Sequence, residues 1–369
     1  MGLSAAYHLA AKGCRDVVLL EREEFFGTGA TGQNAGGVRH QFSAEVNIEL
    51  SRHSIRMLRD FEAAMGQPLS LNFCGYLFLL DNAVDVAQFR KNVELQNRLG
   101  VATQWLAPSD LRSLVPEIDV EDILGATYFD GDGLADPAGV VQGYVSGARR
   151  LGAALLEQTP ATRVCIENGR VRAVQTPNGA ISTGSVLIAS GPWSAEVGRA
   201  AGIELPLTPL RRQLAVTAPI PGLNPRFPFV IDFSRSLYFH YESGGILTGM
   251  SNPNEAPGFD TRVDEDWRLV HFEQAMKRMS LLAETEIAAE WAGLYEVTPD
   301  HQPILGRLPH AEGLFSCTGF SGHGFMHGPV SGLLMAEEIL DGAARTIDID
   351  PLRWERFALG PTPGEYNVV

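Results

Sequence analysis

Two features near the N-terminus could together hold a phosphate-linked ligand. The stretch GTGATGQNAGGVR, residues 27–39, crowds glycines into one loop, where backbone N–H groups can closely approach a phosphate or a planar ring. Shortly before it, the run DVVLLE ends at Glu21, 19 positions after Gly2. An acid at that distance from a glycine turn is typical of a dinucleotide-binding unit, where it bonds a ribose hydroxyl. A flexible linker is the alternative interpretation of the loop.

The elements before Glu21 agree with the dinucleotide interpretation. Residues 2–12, GLSAAYHLAAK, predict a helix that ends at Gly13, and DVVLLE predicts the strand that follows it. The first strand and the first two glycines of GxGxxG would lie before Met1, so Gly2 takes the place of the third glycine. We therefore expect the native protein to begin about 10 residues upstream. Taken alone, this stretch also fits a helix and an edge strand that bind no nucleotide.

A second glycine-rich loop lies near the C-terminus. Residues 314–342, LFSCTGFSGHGFMHGPVSGLLMAEEILDG, predict a strand, a loop through Gly319, Gly322 and Gly324, and a helix that begins near Met326. The N-terminus of a helix presents unpaired N–H groups and the positive end of its dipole. Such an arrangement suits a ligand on which negative charge develops, such as a reduced flavin.

Composition narrows the class of protein. The length of 369 residues predicts two or three domains, and the net charge of −15 argues against nucleic acid as a partner. One Arg in a pocket can still bind a carboxylate in an acidic protein. The four cysteines lack metal-site spacing, so no metal is expected. No apolar run approaches the roughly 18 residues of a membrane span, and no signal peptide is evident, so we expect a cytoplasmic protein.

The rest of the chain predicts a long helix, a three-stranded meander and a second sheet. Residues 43–66 predict a long helix with Ser43 as its N-cap. Asn-Gly turns at 168–169 and 178–179 predict a three-stranded meander. A largely antiparallel sheet and a helix over about 267–280 are also expected. The strand-like stretches of this sheet are residues 69–80, 123–129, 206–217 and 236–250.

These stretches together resemble the D-amino-acid oxidase superfamily of FAD-dependent flavoproteins, and within it the branch of sarcosine oxidase, sarcosine dehydrogenase and the β-type subunits of L-proline dehydrogenase. The resemblance runs almost end to end, through GLSAAYHLA, VVLLERE, GATGQNAGGVRHQFS, GRVRAVQTPNGAI, VLIASGPWS, WAGLYEVTPDHQPILG and TGFSGHGFMHGP. It implies an α/β fold with a glutathione-reductase-like FAD-binding domain, its first strand apparently missing, and an inserted substrate domain on a large mixed β-sheet. The expected domains are residues 1–75, 137–205 and 290–369 for FAD, and 76–136 and 206–289 for the substrate.

The resemblance also implies the residues that contact FAD. The expected set is Gly2, Glu21, Arg22 and Val164 at the adenosine, Thr31, Gly32, Ala35, Gly36 and Gly37 beside the pyrophosphate and flavin, Ala189, Gly191 and Trp193 at the GPW strand end, and Gly319, Gly322, His323, Gly324, Phe325 and Met326 in the loop under the flavin. His323 is expected to be structural there. Relatives with covalent FAD use a Cys just before the TPD segment or a His in the early glycine loop. Both are absent here, so non-covalent FAD is expected.

Four side chains are candidates for the substrate end. Arg39 resembles the Arg that holds the substrate carboxylate in sarcosine oxidases; an exposed loop Arg is the alternative. Tyr295 stands where glycine oxidase carries an Arg before TPD. Alternation along a strand places Tyr238 and His240 on one face, where they could line the pocket, although a packed core histidine is equally compatible.

Two departures from sarcosine oxidases bear on the reaction. Met326 replaces a Lys after the SGHGF loop, which favours a different or bulkier amine. Leu247 falls where those oxidases place a Lys over the flavin to promote reaction with oxygen, so a dehydrogenase is favoured over an oxidase.

The predicted function is FAD-dependent oxidation of the C–N bond of a secondary or N-methyl amino acid, sarcosine- or proline-like, by hydride transfer to flavin N5. Water then hydrolyses the resulting imine, and a dry pocket keeps the amine neutral. The partners expected are a small amino-acid substrate and either an electron-acceptor protein or a hetero-oligomer. An FAD-binding accessory or assembly subunit with little turnover of its own is the alternative. A nicotinamide-dependent reductase fits less well, because only one dinucleotide-binding unit is visible.

Overall fold

The computed structural model describes residues 1–360 and 364–369. The predicted helix over residues 2–12 is confirmed, as is the helix near residues 267–280. The helices are α1 (Gly2–Ala11), α2 (Glu45–Arg59), α3 (Phe61–Met65), α4 (Ala83–Arg98), α5 (Pro108–Leu114), α6 (Pro137–Arg150), α7 (Ser194–Ala200), α8 (Glu265–Arg278) and α9 (Gly324–Leu340).

The predicted long helix over residues 43–66 is wrong in two details. The chain forms α2 and α3 with a break at Asp60, and α3 ends at Gly66 in the left-handed conformation. Ser43 is not the N-cap, because Ala44 occupies that position and the Ser43 hydroxyl donates a hydrogen bond to Glu365 at 2.7 Å. A contact across more than 300 residues of sequence therefore overrides the local capping signal.

The strands of the described residues form one large sheet and four small ones. They are β1 (Val18–Leu20), β2 (Gly37–Val38), β3 (Leu71–Asn72), β4 (Tyr76–Leu80), β5 (Gln104–Leu106), β6 (Gly125–Phe129), β7 (Gly133–Ala135), β8 (Ala154–Leu156), β9 (Arg163–Glu167), β10 (Arg170–Thr176), β11 (Gly179–Ser182), β12 (Val186–Ile188), β13 (Thr208–Thr217), β14 (Phe229–Asp232), β15 (Leu237–Glu242), β16 (Gly245–Met250), β17 (Ile287–Val297), β18 (Ile304–Arg307) and β19 (Leu314–Thr318).

The large sheet has eight strands in the order β17-β13-β16-β15-β14-β4-β6-β5. Only the β14–β4 pair is parallel, so the sheet is mixed, as predicted. All five residues of β4 are buried, as expected for a strand covered on both faces. Strand β17 runs across the predicted domain boundary at residues 289/290. The division into domains stays a prediction.

The dinucleotide-type elements form separate small sheets. Strand β1 pairs with β8 in parallel, and β12 pairs in parallel with β19, which carries β18 on its other side. The meander of β9, β10 and β11 is antiparallel, which confirms its prediction. Helix α1 packs against α9 and α6, and the apolar helix α9 also packs against α2. This packing fixes the N-termini of α1 and α9 beside one cavity.

Candidate active site

One large cavity of about 1750 Å³ connects the two glycine-rich loops with a face of the large sheet. Typical small-molecule pockets measure about 300–1,000 Å³, so this cavity has room for an extended ligand and a second, smaller molecule. Its lining includes Glu21 and Val164 toward one end and Arg39 and Tyr238 toward the other.

The nucleotide end of the cavity lies where α1 and β1 meet. A Cβ on Gly2 would lie 3.4 Å from Leu19, so Gly2 permits close packing of helix on strand, as predicted for a third glycine. Glu21 follows β1 and lines the cavity. The guanidinium carbon of Arg22 lies 3.8 Å from the centre of the Trp193 ring. Aromatic and polar groups therefore flank an open slot at this end.

The early glycine loop, residues 27–39, is held in place by residues from distant parts of the chain. Gly36 has φ of +71°, and a Cβ there would lie 2.8 Å from the carbonyl oxygen of Ala135. The Gly36 N–H donates to the side-chain oxygen of Asn34 at 2.6 Å, and the Trp291 indole N–H donates to the Gln33 carbonyl at 3.0 Å. The loop therefore presents backbone to the cavity in one defined shape.

The C-terminal glycine loop leads into α9 two residues earlier than predicted, at Gly324. Gly322 has φ of +98°, and a Cβ there would overlap the ring of Tyr295. His323 donates from Nε2 to the His301 carbonyl at 3.0 Å, and burial lowers its pKa to about 3, so the ring is neutral. His323 makes no side-chain cap of α9, which leaves the first N–H groups of α9 available at the cavity.

The opposite wall of the cavity is one face of the large sheet. The stacked rings of Tyr76 and Phe229, with centres 4.3 Å apart, come from the parallel strands β4 and β14. Tyr238 pairs with Ile231 across the β14–β15 ladder and therefore lies on the same face. The sheet residues that line the cavity include Tyr76, Arg212, Leu214, Phe229, Ile231, Tyr238, Trp291 and Tyr295.

Arg39 is a buried cation with only 4% of its surface exposed, so the alternative of an exposed loop Arg is wrong. Its guanidinium donates to the carbonyls of Gln41 and Asn367 and lies 3.9 Å from the centre of the Phe42 ring. Burial lowers the pKa of Arg39, but a guanidinium stays charged in proteins. Among the described residues no carboxylate lies within 4.0 Å of it. Arg39 is therefore a desolvated cation at the cavity wall that makes no direct ion pair among the described residues, while the carboxylates of Glu365 and Asp132 act on it from farther away.

Sequence reasoning missed a second cation at this end, Arg212 on β13. It lines the cavity, with its guanidinium carbon 5.1 Å from the centre of the Tyr295 ring. Its neighbour Arg211 points to the other face, where it pairs with Glu255 at 3.0 Å and Asp264 at 3.1 Å. Two consecutive arginines in a predicted strand were the available signal, because alternation sends only one of them into the cavity.

Three tyrosines line the substrate end as neutral hydroxyl groups. Burial raises the pKa of Tyr76 and Tyr238, and desolvation raises that of Tyr295 although Arg212 and Arg39 oppose the shift. Each hydroxyl can therefore donate a hydrogen bond at neutral pH. Tyr238 and Tyr295 lie where they could contact a substrate, and their roles stay predictions.

His240 does not line the cavity as the described residues define it. It is 1% exposed, its Nδ1 donates to the Tyr241 carbonyl at 2.8 Å, and its ring centre lies 4.9 Å from that of Phe229. Burial lowers its pKa, so the ring is neutral. Its position matches the core histidine of the sequence interpretation. Leu247, opposite His240 on β16, is likewise buried and outside the lining.

Most predicted cofactor residues share this one cavity. Gly32, Gly36 and Gly319 are predicted contacts that do not line it, and they shape the loops instead. The predicted residues that line the cavity are Gly2, Glu21, Arg22, Thr31, Ala35, Gly37, Val164, Ala189, Gly191, Trp193, Gly322, His323, Gly324, Phe325 and Met326.

The C-terminal tail is a part of the site that sequence reasoning missed. The Glu365 carboxylate accepts hydrogen bonds from the backbone N–H groups of Ser43 at 2.8 Å and Ala44 at 3.1 Å, which anchors the tail to the start of α2. Asn367 then accepts from Arg39 through its carbonyl and donates from its side chain to the Gln41 carbonyl at 3.1 Å. No local pattern in the sequence announces contacts over such separations.

Comparison with known proteins identifies the family. A family model described as FAD dependent oxidoreductase, DAO, matches residues 1–338. The chain belongs to this family. The sequence predictions of the family and of FAD as its cofactor are thereby confirmed.

The relatives include amino-acid dehydrogenases. The chain is 31% identical to mitochondrial sarcosine dehydrogenase of Homo sapiens over 93% of this chain and 39% of that protein. It is 29% identical to mitochondrial dimethylglycine dehydrogenase of Mus musculus over 97% of this chain and 43% of that protein. The chain thus spans about two fifths of the length of these relatives.

Solved structures share the fold over nearly the whole chain, which confirms the predicted fold class. L-Proline dehydrogenase from P. horikoshii superposes with a TM-score of 0.88 at 32% identity, over 96% of this chain and 95% of that chain. Glycine oxidase from Geobacillus kaustophilus superposes with a TM-score of 0.83 at 24% identity, over 95% and 94% of the two chains, and supports the fold alone.

The residues present fit FAD. The cavity joins the two glycine loops that the sequence assigns to the cofactor, and the Cβ positions at Gly36 and Gly322 are barred by protein atoms. The N-terminus of α9 meets the cavity with unpaired N–H groups, which suits an anionic ring edge. Within the described residues no group of His, Cys, Asp or Glu could hold a metal ion, and no helix is long and apolar enough to cross a membrane.

Proposed function

We propose that this chain oxidises the C–N bond of a secondary or N-methyl amino acid, sarcosine- or proline-like, with FAD. The observation that carries the proposal is Arg39, a buried cation with no direct ion pair among the described residues, which lines the same cavity as the predicted cofactor loops. The names of the relatives, sarcosine, dimethylglycine and L-proline dehydrogenase, support the same class of substrate.

Arg39 orients the substrate through its carboxylate. A guanidinium has five N–H groups, and two of its nitrogens already donate to the carbonyls of Gln41 and Asn367. These bonds fix the plane of the guanidinium, so its remaining donors meet the carboxylate without further ordering. Bound FAD would supply the acceptor for a hydride from the carbon next to the amine nitrogen.

The cavity favours the neutral form of the amine, which the reaction needs. Phe229, Ile231 and Leu214 supply an apolar wall, and Arg39 and Arg212 add positive charge. Desolvation and like charge both lower the pKa of a bound ammonium group. The neutral hydroxyls of Tyr238 and Tyr295 can hydrogen-bond the substrate without adding charge. No dedicated protein base is required.

The electrons leave to an acceptor other than oxygen. Within the described residues the cavity lining contains no Lys, and His240 is neutral and outside the lining. In the oxidases resembling this chain the positive group that speeds reaction with oxygen is a Lys over the flavin, at the position of Leu247 here, and we assign the two arginines of the cavity to the substrate instead. An electron-acceptor protein or a hetero-oligomer is therefore the partner we propose, in the cytoplasm. Substrate-reduced enzyme should be reoxidised faster by a quinone or dye than by air-saturated buffer; equal rates would make the protein an oxidase.

The test is an anaerobic titration of the holoenzyme with N-methyl and cyclic amino acids. We expect bleaching of the oxidised flavin spectrum by at least one secondary amino acid and none by its N-acetyl derivative, which has no amine lone pair available. A spectrum that stays oxidised across the whole panel would reject the proposal and favour the accessory or assembly subunit.

A further inference from the structure

Two arginines line the substrate end of the cavity, although one guanidinium is enough to bind the single carboxylate of a simple amino acid. Arg39 and Arg212 both line the cavity, and both act electrostatically on the Tyr295 hydroxyl. Among the described residues neither has a carboxylate within 4.0 Å. Glu255, whose carboxylate acts electrostatically on Arg212, is already paired with Arg211 at 3.0 Å.

The hydrogen bonds of Arg212 are incomplete within the described residues. Its Nη1 donates to the Arg211 carbonyl at 2.8 Å, and its buried Nε–H has no acceptor. Desolvation lowers the pKa of Arg212, but the guanidinium remains charged. A desolvated cation with an unmet donor is costly unless an anion completes the site.

The strand geometry gives this charge a definite direction. Arg211 and Arg212 are consecutive on β13, and only Arg212 faces the cavity, beside the Tyr295 ring. Arg212 pairs with Gly293 of β17, so the residue directly opposite it has no side chain. Arg39 approaches from the early loop and is tied to the C-terminal tail. The two cations therefore reach the cavity from different elements.

We propose that the substrate is a dicarboxylic secondary amino acid, with one carboxylate bound by Arg39 and the second by Arg212. The proposal rests on the proposed function and narrows its substrate class. Arg212 is then the residue that selects for a second acidic group, and the neutral hydroxyls of Tyr238 and Tyr295, on which Arg212 acts electrostatically, supply further donors. The apolar residues of the cavity lining, Leu214, Phe229 and Ile231, are available to the carbon atoms of such a substrate.

Two other roles for Arg212 predict different results. If Arg212 and Arg39 bound the same single carboxylate, the loss of Arg212 would weaken the binding of all amino-acid substrates equally. If Arg212 served the charge of the reduced cofactor, its loss would lower the flavin midpoint potential and would not change the order of substrates.

The experiment compares N-methylaspartate and N-methylglutamate with their isosteric amides, N-methylasparagine and N-methylglutamine, on the holoenzyme. Anaerobic flavin reduction and ligand-induced shifts of the oxidised flavin spectrum are both recorded. The variants are Arg212→Leu, Arg212→Lys and Arg172→Leu, in which an exposed arginine of β10 outside the cavity loses the same charge. Flavin content checks that each variant is folded.

We expect wild type to favour one acid over its amide by about 10- to 100-fold in kcat/KM, the range for a hydrogen bond to a charged group. Arg212→Leu should abolish that ratio, Arg212→Lys should keep part of it, and Arg172→Leu should keep all of it. The proposal is overturned if wild type shows no preference, or if the preference survives in Arg212→Leu.

Failure of this inference can be told apart from failure of the proposed function. If sarcosine or proline bleaches the flavin while acids and amides perform alike, only the second carboxylate is rejected. If acids bind with an Arg212-dependent spectral shift but no amine in the panel reduces the flavin, the binding inference stands and the oxidation is rejected. If nothing binds or reduces, both are rejected.

Discussion

The nucleotide end and the substrate end of the cavity are built in opposite ways. At the nucleotide end, backbone and small residues from α1, β1 and the early loop form most of an open slot, which the side chains of Arg22, Val164 and Trp193 flank. At the substrate end, long side chains from β4, β13, β15 and β17 meet Arg39 and the C-terminal tail. The nucleotide end depends mainly on backbone that glycines leave exposed. The substrate end depends on charged side chains that distant strands place there.

This contrast separates what each end can do. A backbone slot accepts the same cofactor whatever the substrate, because its contacts are the N–H groups that every residue carries. The charged end can change its substrate by single substitutions on a sheet that keeps its shape. Mutations at the two ends should therefore affect different measurements, FAD affinity at one end and kcat/KM at the other.

The largest effect is expected from Arg39→Ala. Removing the charge-assisted contact to the substrate carboxylate should cost about 2 to 4 kcal/mol in kcat/KM. FAD affinity, measured by equilibrium dialysis, should change little, because the loss lies at the substrate end. Near-normal kcat/KM on the best amino acid would remove Arg39 from the substrate site.

Arg39→Lys is the matched variant for that prediction. It keeps the charge but loses the planar fork, so it should recover only part of the loss. Full recovery would mean that charge alone matters and that the two carbonyl contacts of the guanidinium are incidental.

A smaller effect, on FAD affinity and not on the choice of substrate, is expected from Gly36→Ala. Gly36 has φ of +71° and its Cβ would lie 2.8 Å from the Ala135 carbonyl oxygen, so strain of about 1 to 3 kcal/mol should appear as weaker FAD binding. The order of substrates should be unchanged. Gly258→Ala is the control, because Gly258 lies outside the cavity lining and its Cβ would meet nothing within 4 Å. Equal FAD affinities for the two variants would contradict a shaped backbone slot.

A still smaller effect is expected from Asn367→Ala in the tail. It removes the side-chain bonds to Asn92 and Gln41, and with them part of the support for Arg39, so kcat/KM should fall several-fold, about 1 kcal/mol. Tyr366→Phe is the control, because it loses only the hydroxyl contact to Asp85. If both variants act alike, the tail stabilises the fold without positioning Arg39.

Acid treatment is expected to release FAD from the polypeptide, because the cofactor is bound non-covalently. The stretch AGLYEVTPD, residues 292–300, contains no Cys, and the early loop, residues 27–39, contains no His, so no nucleophile is present for a covalent link at either place. Precipitated protein should be colourless and the flavin should remain in the supernatant. Yellow colour in the pellet would show a covalent bond.

The same contrast explains what could be predicted from sequence. Two loops, residues 27–39 and Gly319–Gly324, could be recognised locally, because their glycines indicate a backbone that approaches a ligand closely. The structure brings both loops to one cavity. Arg212 was missed because periodicity shows that one of two arginines faces inward but not which face is inward. Glu365 and Asn367 were missed because their partners, Ser43 and Arg39, lie more than 300 residues away. His240 fitted two interpretations, and only packing against Phe229 separates them.

The most direct test of the proposed oxidation is a single-turnover reaction of the holoenzyme with an N-methyl amino acid, without oxygen. Flavin bleaching and the carbonyl compound released by imine hydrolysis are measured in the same sample, with the oxidised carbon carrying hydrogen or deuterium. We predict one carbonyl per flavin reduced and a slower bleaching with deuterium, because that C–H bond breaks as the flavin is reduced. Bleaching without a stoichiometric carbonyl product would contradict oxidation of the C–N bond.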